Sequence, residues 1–200
     1  MRDQLFLIKE ETVQTENIKQ YLKRKLKKQE PDVEPILFHG ADESQGEYRW
    51  LSNDSYHPID MNGEQFKTVE HYFQAMKAKE FGDTETYNKI IKSKTPKAAK
   101  ALGKKVANLV TEVWESKRDP IMQEAVRAKF VQHPELRKKL IETEDKPIGK
   151  ADARDMYWGI GTSVDSEKSK FPSKWRGYNK LGKILMSLRK TFKEEASTST

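Results

Sequence analysis

Residues 68–78 read Thr68-Val69-Glu70-His71-Tyr72-Phe73-Gln74-Ala75-Met76-Lys77-Ala78. Val69, Tyr72, Phe73 and Met76 stand at i, i+3, i+4 and i+7, the stripe by which a helix buries one side. Thr68 supplies an N-cap hydroxyl, so a helix is expected from Val69 to about Glu80. Glu70, Gln74 and Lys77 repeat the spacing one position on. A carboxylate, an amide and an amine therefore share a flank beside the buried stripe. Plainer origins exist for the same pattern. A first-turn carboxylate suits the helix dipole, and glutamine and lysine at this spacing are common on solvated helices. His71 falls further round, and is expected at the surface or the rim.

Upstream of this helix, Asn62-Gly63 separates Tyr56–Met61 from Glu64-Gln65-Phe66, a hairpin signal because both turn residues tolerate positive φ. Ile36-Leu37-Phe38 reads as a short strand. Downstream, helices are expected over about 84–93, 96–107, 120–132 and 134–142. Asp119-Pro120 serves as a start signal for the third of these. Leu181, Ile184, Leu185, Leu188 and Phe192 mark a last amphipathic helix, opened by Asn179. The stretch from Asp145 to Tyr178 has little periodicity and reads as a long loop, a place where function often resides. The expected fold is mainly α (α+β), a single helical domain over residues 35–192 with a small β-hairpin. Residues 1–34 read as a basic extension with a short helix around Glu16–Lys28, and residues 193–200 as a disordered tail.

Of the 200 residues, 35% are hydrophobic, 34% charged and 10% aromatic. That is enough apolar bulk for a core in a solvated chain. There is no cysteine, which excludes disulfides, thiolate catalysis and cysteine-bound zinc, and agrees with an intracellular, cytoplasmic or nuclear setting. His39, His57, His71 and His133 show no paired ligand spacing, so no metal and no other cofactor is expected. No apolar stretch suits a membrane span or a secretory signal. The net charge of +7 favours anionic partners. Lys19, Lys23, Arg24, Lys25, Lys27 and Lys28 crowd one stretch near the start. They read either as a solvated arm or as a salt-sensitive tether for a polyanion.

Several separated segments together resemble the NADAR family. They are Leu51-Ser52-Asn53, Phe66 to Lys77, Ala98 to Gly103, Trp114, Arg127 to Phe130, Asp155 to Gly161, and Gly177 to Met186. They occur in family order across about residues 36–190. The resemblance implies a mostly helical domain that cleaves N-glycosidic bonds to ribose. It implies Glu70 as the acid/base or substrate-orienting carboxylate and Lys77 as an amine able to attack the anomeric carbon. Asp155 would hold the ribose. Phe73, Gln74, Trp114 and Trp158 would shape the substrate site with Asn53, Gly159 and Gly161. Arg49, Lys129 and Lys183 are candidates for phosphate contacts, though each reads equally as an ordinary surface cation. Asp155 and Trp158 have plainer readings as a turn-capping aspartate and a core tryptophan. Many relatives carry a glutamate five residues before the loop aspartate, where this chain has Lys150.

The expected reaction is hydrolysis of the bond between ADP-ribose and a guanine nitrogen, in a nucleotide or in nucleic acid. The alternative is the same chemistry on a small ribosyl-amine phosphate of riboflavin synthesis. A non-catalytic ADP-ribose or NAD binding module is the alternative of another class. The oligomeric state is not legible.

Overall fold

A computed structural model describes residues 33–41 and 46–198; the basic arm and its expected helix lie outside them. Strand β1 (Ile36–Phe38) is followed by a 3-10 turn over Glu47–Leu51, then by the hairpin β2 (Ile59–Met61) and β3 (Glu64–Phe66). The expected turn joins them, with Asn62 at φ 59° and Gly63 at φ 83°. Asp60 locks it by accepting the Gly63 amide at 2.9 Å.

Five helices follow: α1 (Val69–Glu80), α2 (Thr84–Lys92), α3 (Pro96–Gly103), α4 (Thr111–Gln132) and α5 (Pro134–Glu142). Local chemistry starts three of them. Thr68, Asp83 and Thr95 each accept a first-turn amide, the ordinary N-cap bond. Helix α1 is central, packing on α2, α3 and α4 at once. Residues 69–75 of α1 are therefore buried without a break. His71 is buried for this reason, contrary to the expectation of a surface position. Its Nδ1 meets the Thr68 hydroxyl at 2.8 Å.

Helix α4 departs from its expected start. It begins at Thr111 and carries Pro120 in its interior. Asp119 does not cap it; its carboxylate takes Tyr157 Oη at 2.5 Å and Lys180 Nζ at 2.8 Å. Helix α3 ends at Gly103, short of the expected Ala107.

The stretch expected as a long loop begins with a strand. β4 (Ile148–Lys150) pairs in parallel with β1, Ile36 opposite Ile148 and Phe38 opposite Lys150. Beyond it the chain is tied by its own backbone: Ile160 N–H donates to Lys150 O, Gly177 N–H to Ile160 O and Leu181 N–H to Trp158 O. Asn179 stands directly before the last helix, as expected, and its carbonyl accepts the Lys183 amide at 3.0 Å, but its side chain serves elsewhere. At φ 49°, its side-chain Nδ2 donates to Ile148 O at 2.8 Å and its Oδ1 accepts the Lys150 amide at 3.2 Å. Helix α6 runs from Lys180 to Thr198, through most of the expected tail. Arg137 on α5 holds Glu195 at 2.7 Å, and Lys193 reaches Asp145 at 3.0 Å. Phe38, Leu51, Met122, Phe130, Leu140, Ile148, Leu185 and Phe192 are among the residues that close the core. Among the described residues no helix is long and apolar enough to cross a membrane.

Candidate active site

Glu70 lies in the first turn of α1 and is only 5% exposed. Glutamate is seldom buried so deeply without a partner. One turn on, Gln74 donates Nε2 to Glu70 Oε1 at 2.8 Å. The backbone N–H of Glu70 donates to the carbonyl of Asn53 at 3.1 Å, which satisfies one of the amides that a helix start leaves unpaired. Burial raises the carboxyl above the ordinary glutamate range. Lys100 opposes that rise, Asp54 adds to it, and the Gln74 bond and Lys150 pull it back. The group holds its proton more tightly than an exposed glutamate, while cations from two other elements stand ready to favour its ionised form.

A glycine keeps Gln74 in place. A Cβ on Gly103 would lie 1.8 Å from Gln74 Oε1 and 2.6 Å from its Cδ. At Gly103, helix α3 thus leaves room for the Gln74 amide that any side chain at this position would displace. Lys100 stands one turn before Gly103 on the same face of α3, where its charge acts on Glu70. Glu70 raises its pKa, against the lowering effect of burial, and Asp54, Asp155 and Asp152 raise it further.

Lys77 completes the flank. It is partly buried, and its ammonium stands 5.8 Å from the ring centre of Trp114. Burial lowers its pKa and Glu70 raises it in part. Phe73 packs between two tryptophans, 5.1 Å from Trp114 at 57° and 5.7 Å from Trp158 at 90°. Phe73, Trp114 and Trp158 thus form one aromatic cluster beside the polar flank of α1.

Asp155 is committed to its own loop. Its Oδ1 accepts the amides of Tyr157 at 3.2 Å and Trp158 at 2.8 Å, and its Oδ2 meets Lys150 Nζ at 2.5 Å. Burial alone would raise this carboxyl. The Lys150 charge and hydrogen bond, with the two amides, outweigh burial and hold it below the ordinary range. The turn-capping reading of Asp155 is thus realised, and any ribose contact shares Oδ2 with Lys150. Gly159 fits between the carbonyls of Asp155 and Lys150, where a Cβ would stand 2.8 and 2.9 Å away. Gly161, at φ 66°, makes the bend that brings residue 177 back to residue 160.

Lys129 is a correction. As a phosphate contact it needs an exposed ammonium, yet it is 1% exposed. Its three protons are taken by Trp50 O at 2.6 Å, Ser52 O at 2.9 Å and Ser55 Oγ at 2.6 Å. Asn53 is turned inward, its Nδ2 against Met122 Sδ at 3.2 Å. Arg49 and Lys183 are exposed. The cations that act on Glu70 are instead Lys100 and Lys150, neither of which the sequence singled out as a site residue. The spacing of Lys100 from Gly103 was the available signal.

A family model described as the NADAR domain matches residues 37–193. An N-glycosidase of Acanthamoeba polyphaga mimivirus is 35% identical over 161 residues, covering 77% of this chain and 94% of that protein. The N-glycosidase YbiA of Escherichia coli is 33% identical over 154 residues, covering 77% and 86%. The NMR structure of E. coli YbiA superposes with a TM-score of 0.64 at 31% identity, covering 82% of this chain and 88% of that one. A riboflavin biosynthesis protein of Vibrio vulnificus is 29% identical across 82% of this chain, which corresponds to 40% of its own length. With a buried, amide-clamped carboxyl at the start of its central helix and these relatives along most of its length, the chain belongs to the NADAR family, as a hydrolase of N-glycosyl bonds.

Proposed function

We propose that this N-glycosidase cleaves the bond between the C1′ of ADP-ribose and a guanine nitrogen, in a nucleotide or in nucleic acid. The observation that carries the reading is the buried Glu70, clamped by Gln74 beside the wall of Phe73, Trp114 and Trp158. Cleavage leaves an electron pair on the departing nitrogen and positive charge on the ribose carbon, so an acid serves the first and a carboxylate the second. A raised pKa lets Glu70 do both in turn. The C1′–N bond breaks, its pair stays on nitrogen, and Glu70 delivers the proton. The resulting carboxylate faces the cationic ribose, then takes a proton from the water that adds to C1′. Trp158, the one partly exposed ring of the three, offers a stacking surface for a planar base, worth about 1–3 kcal/mol per base in other systems. The chain's positive charge suits a phosphorylated substrate.

Lys77 offers a covalent variant of the same step. A neutral Lys77 amine attacks C1′ while the base leaves with the Glu70 proton. The ribose ring opens to an imine, and water then hydrolyses the imine to free sugar and amine. Partial burial, which lowers the Lys77 pKa, raises the neutral fraction that this route needs.

The similarity to the riboflavin biosynthesis protein of V. vulnificus favours a second reading, a small ribosyl-amine phosphate as substrate. Separate incubation with an oligonucleotide carrying ADP-ribosylated guanine and with the ribosyl-amine phosphate decides between them. Free ADP-ribose and unmodified oligonucleotide are expected from the first. Turnover of the small substrate alone would replace the guanine reading with the second.

A further inference from the structure

Lys129 sits on α4, fully buried, and it touches no carboxylate in its hydrogen bonds. Its acceptors lie 74 to 79 positions earlier in the sequence, at the end of the 3-10 segment and in the turn that follows it. An ammonium offers three protons in tetrahedral array, and all three are used here. A planar guanidinium cannot reproduce that geometry. Two positions on from Trp50 is Ser52, and next to it is Asn53, whose carbonyl receives the Glu70 amide at 3.1 Å. The same face of α4, two turns earlier, holds the Asn53 side chain through Met122. Ser55 is fastened from within as well, its hydroxyl donating to Ser52 O at 2.8 Å.

We infer that Lys129 is a positioning residue for the reaction: it pins residues 50–55 so that the Asn53 carbonyl fixes the backbone of Glu70 and Asp54 is held on the Glu70 side of α1. Nothing in the chemistry of substrate binding requires a lysine at this place. What requires it is a backbone turn whose two carbonyls and one hydroxyl point into the core, where a cation on a long stem can reach all three. Burial lowers the Lys129 pKa to about 7, and Asp54 raises it. His57, whose own pKa is lowered to about 4 by burial first and by Lys129 next, is the other titratable group that faces it. The inference rests on the reading of Glu70 as the acting carboxyl.

Lys129→Met removes the tie and, should it fold poorly, Ser55→Ala removes one of its three anchor points while sparing the cation. Amide hydrogen exchange by NMR reads the tie without any substrate. In either variant the Glu70 amide is expected to exchange at least about tenfold faster, while the amides of Leu140 and Leu185 keep their protection. Turnover of the ADP-ribosylated oligonucleotide or the ribosyl-amine phosphate, whichever is cleaved, is expected to fall about fivefold or more in kcat with KM within about twofold. Unchanged exchange at Glu70, equal loss of protection across all helices, or lost protection with unchanged kcat would each overturn the inference. Should Glu70→Gln prove fully active, the reading of Glu70 fails instead, and the exchange result separates the two failures.

Discussion

The side-chain amide of Gln74 meets the carboxylate of Glu70 at 2.8 Å across one turn of the same helix. The bond fixes the rotamer of a buried carboxyl and leaves its second oxygen for other work. It depends on a third residue, because Gln74 Oε1 occupies the space that a side chain at position 103 would fill. The consequences are open to measurement.

Gly103→Ala should displace the Gln74 amide rather than the helices, since the atom in the way is the far end of a flexible side chain. Losing that orientation is expected to lower kcat about tenfold or more, as small misplacements at reacting groups do. Thermal melting should change little, and Gln74→Ala should reproduce the kinetic loss. Full activity in Gly103→Ala would show that the Gln74 bond is dispensable.

The raised Glu70 carboxyl makes a prediction for stability. Its folded pKa lies above the unfolded one, so the folded state binds the extra proton between the two values. Stability therefore falls as pH rises through that window and stays reduced above it. Glu70→Gln removes this penalty. The variant is expected to melt higher than the parent at pH 8 by about 2–4 °C for each kcal/mol recovered, with the gain vanishing near pH 4. A variant that melts lower at both pH values would contradict the burial account.

Lys77 tests the covalent route. Borohydride added during turnover should fix a sugar adduct that adds mass to the peptide carrying Lys77, and Lys77→Ala should abolish it. An active enzyme that yields no adduct leaves direct attack by water. The route needs a neutral Lys77 and a protonated Glu70 at the same time, and burial moves the two pKa values toward each other. Activity is therefore expected to follow a bell that peaks between those two pKa values.

Asp155→Ala strips an acceptor from two loop amides and from Lys150 at once. The pair is mostly buried, with side chains 20% and 16% exposed. A loss of about 2–4 kcal/mol at neutral pH is expected, readable by urea titration. Because the folded pKa of Asp155 is depressed, its contribution exists above the unfolded pKa and disappears as pH falls through the folded one. The gap between variant and parent should close in acid. Lys150→Met should cost less, about 1–2 kcal/mol, because the loop amides keep their acceptor.

Helix α1 and the hairpin were legible because their signals are local: an apolar stripe at helical spacing behind a threonine cap, and Asn62-Gly63 between two short strands. Strand β4 was not. Ile148-Gly149-Lys150 is too short to alternate, and its partner lies 112 positions earlier at Ile36. Asp119-Pro120 misled, because the aspartate that usually caps a helix here serves Tyr157 and Lys180 instead. His71 was misplaced because a single-stripe reading assumes a helix packed on one side, whereas α1 has helices on three. At the candidate site, Glu70, Gln74 and Lys77 share one helix and could be read together. Lys100, Lys150 and Asp54 come from a helix, a strand and a turn elsewhere in the chain, and only the folded chain assembles them. Lys129 carried the opposite lesson: a cation in the sequence is no phosphate contact once three acceptors from a distant turn enclose it.

Glu70→Gln assayed on the cleaved substrate puts the central point to the test, with circular dichroism confirming the fold. The amide keeps the shape and the Gln74 neighbour but can neither give nor hold the proton. A loss of about 10²–10⁴ in kcat is expected, with melting at neutral pH no lower than the parent's. Parental turnover by a folded Glu70→Gln protein would contradict the role given to this carboxyl.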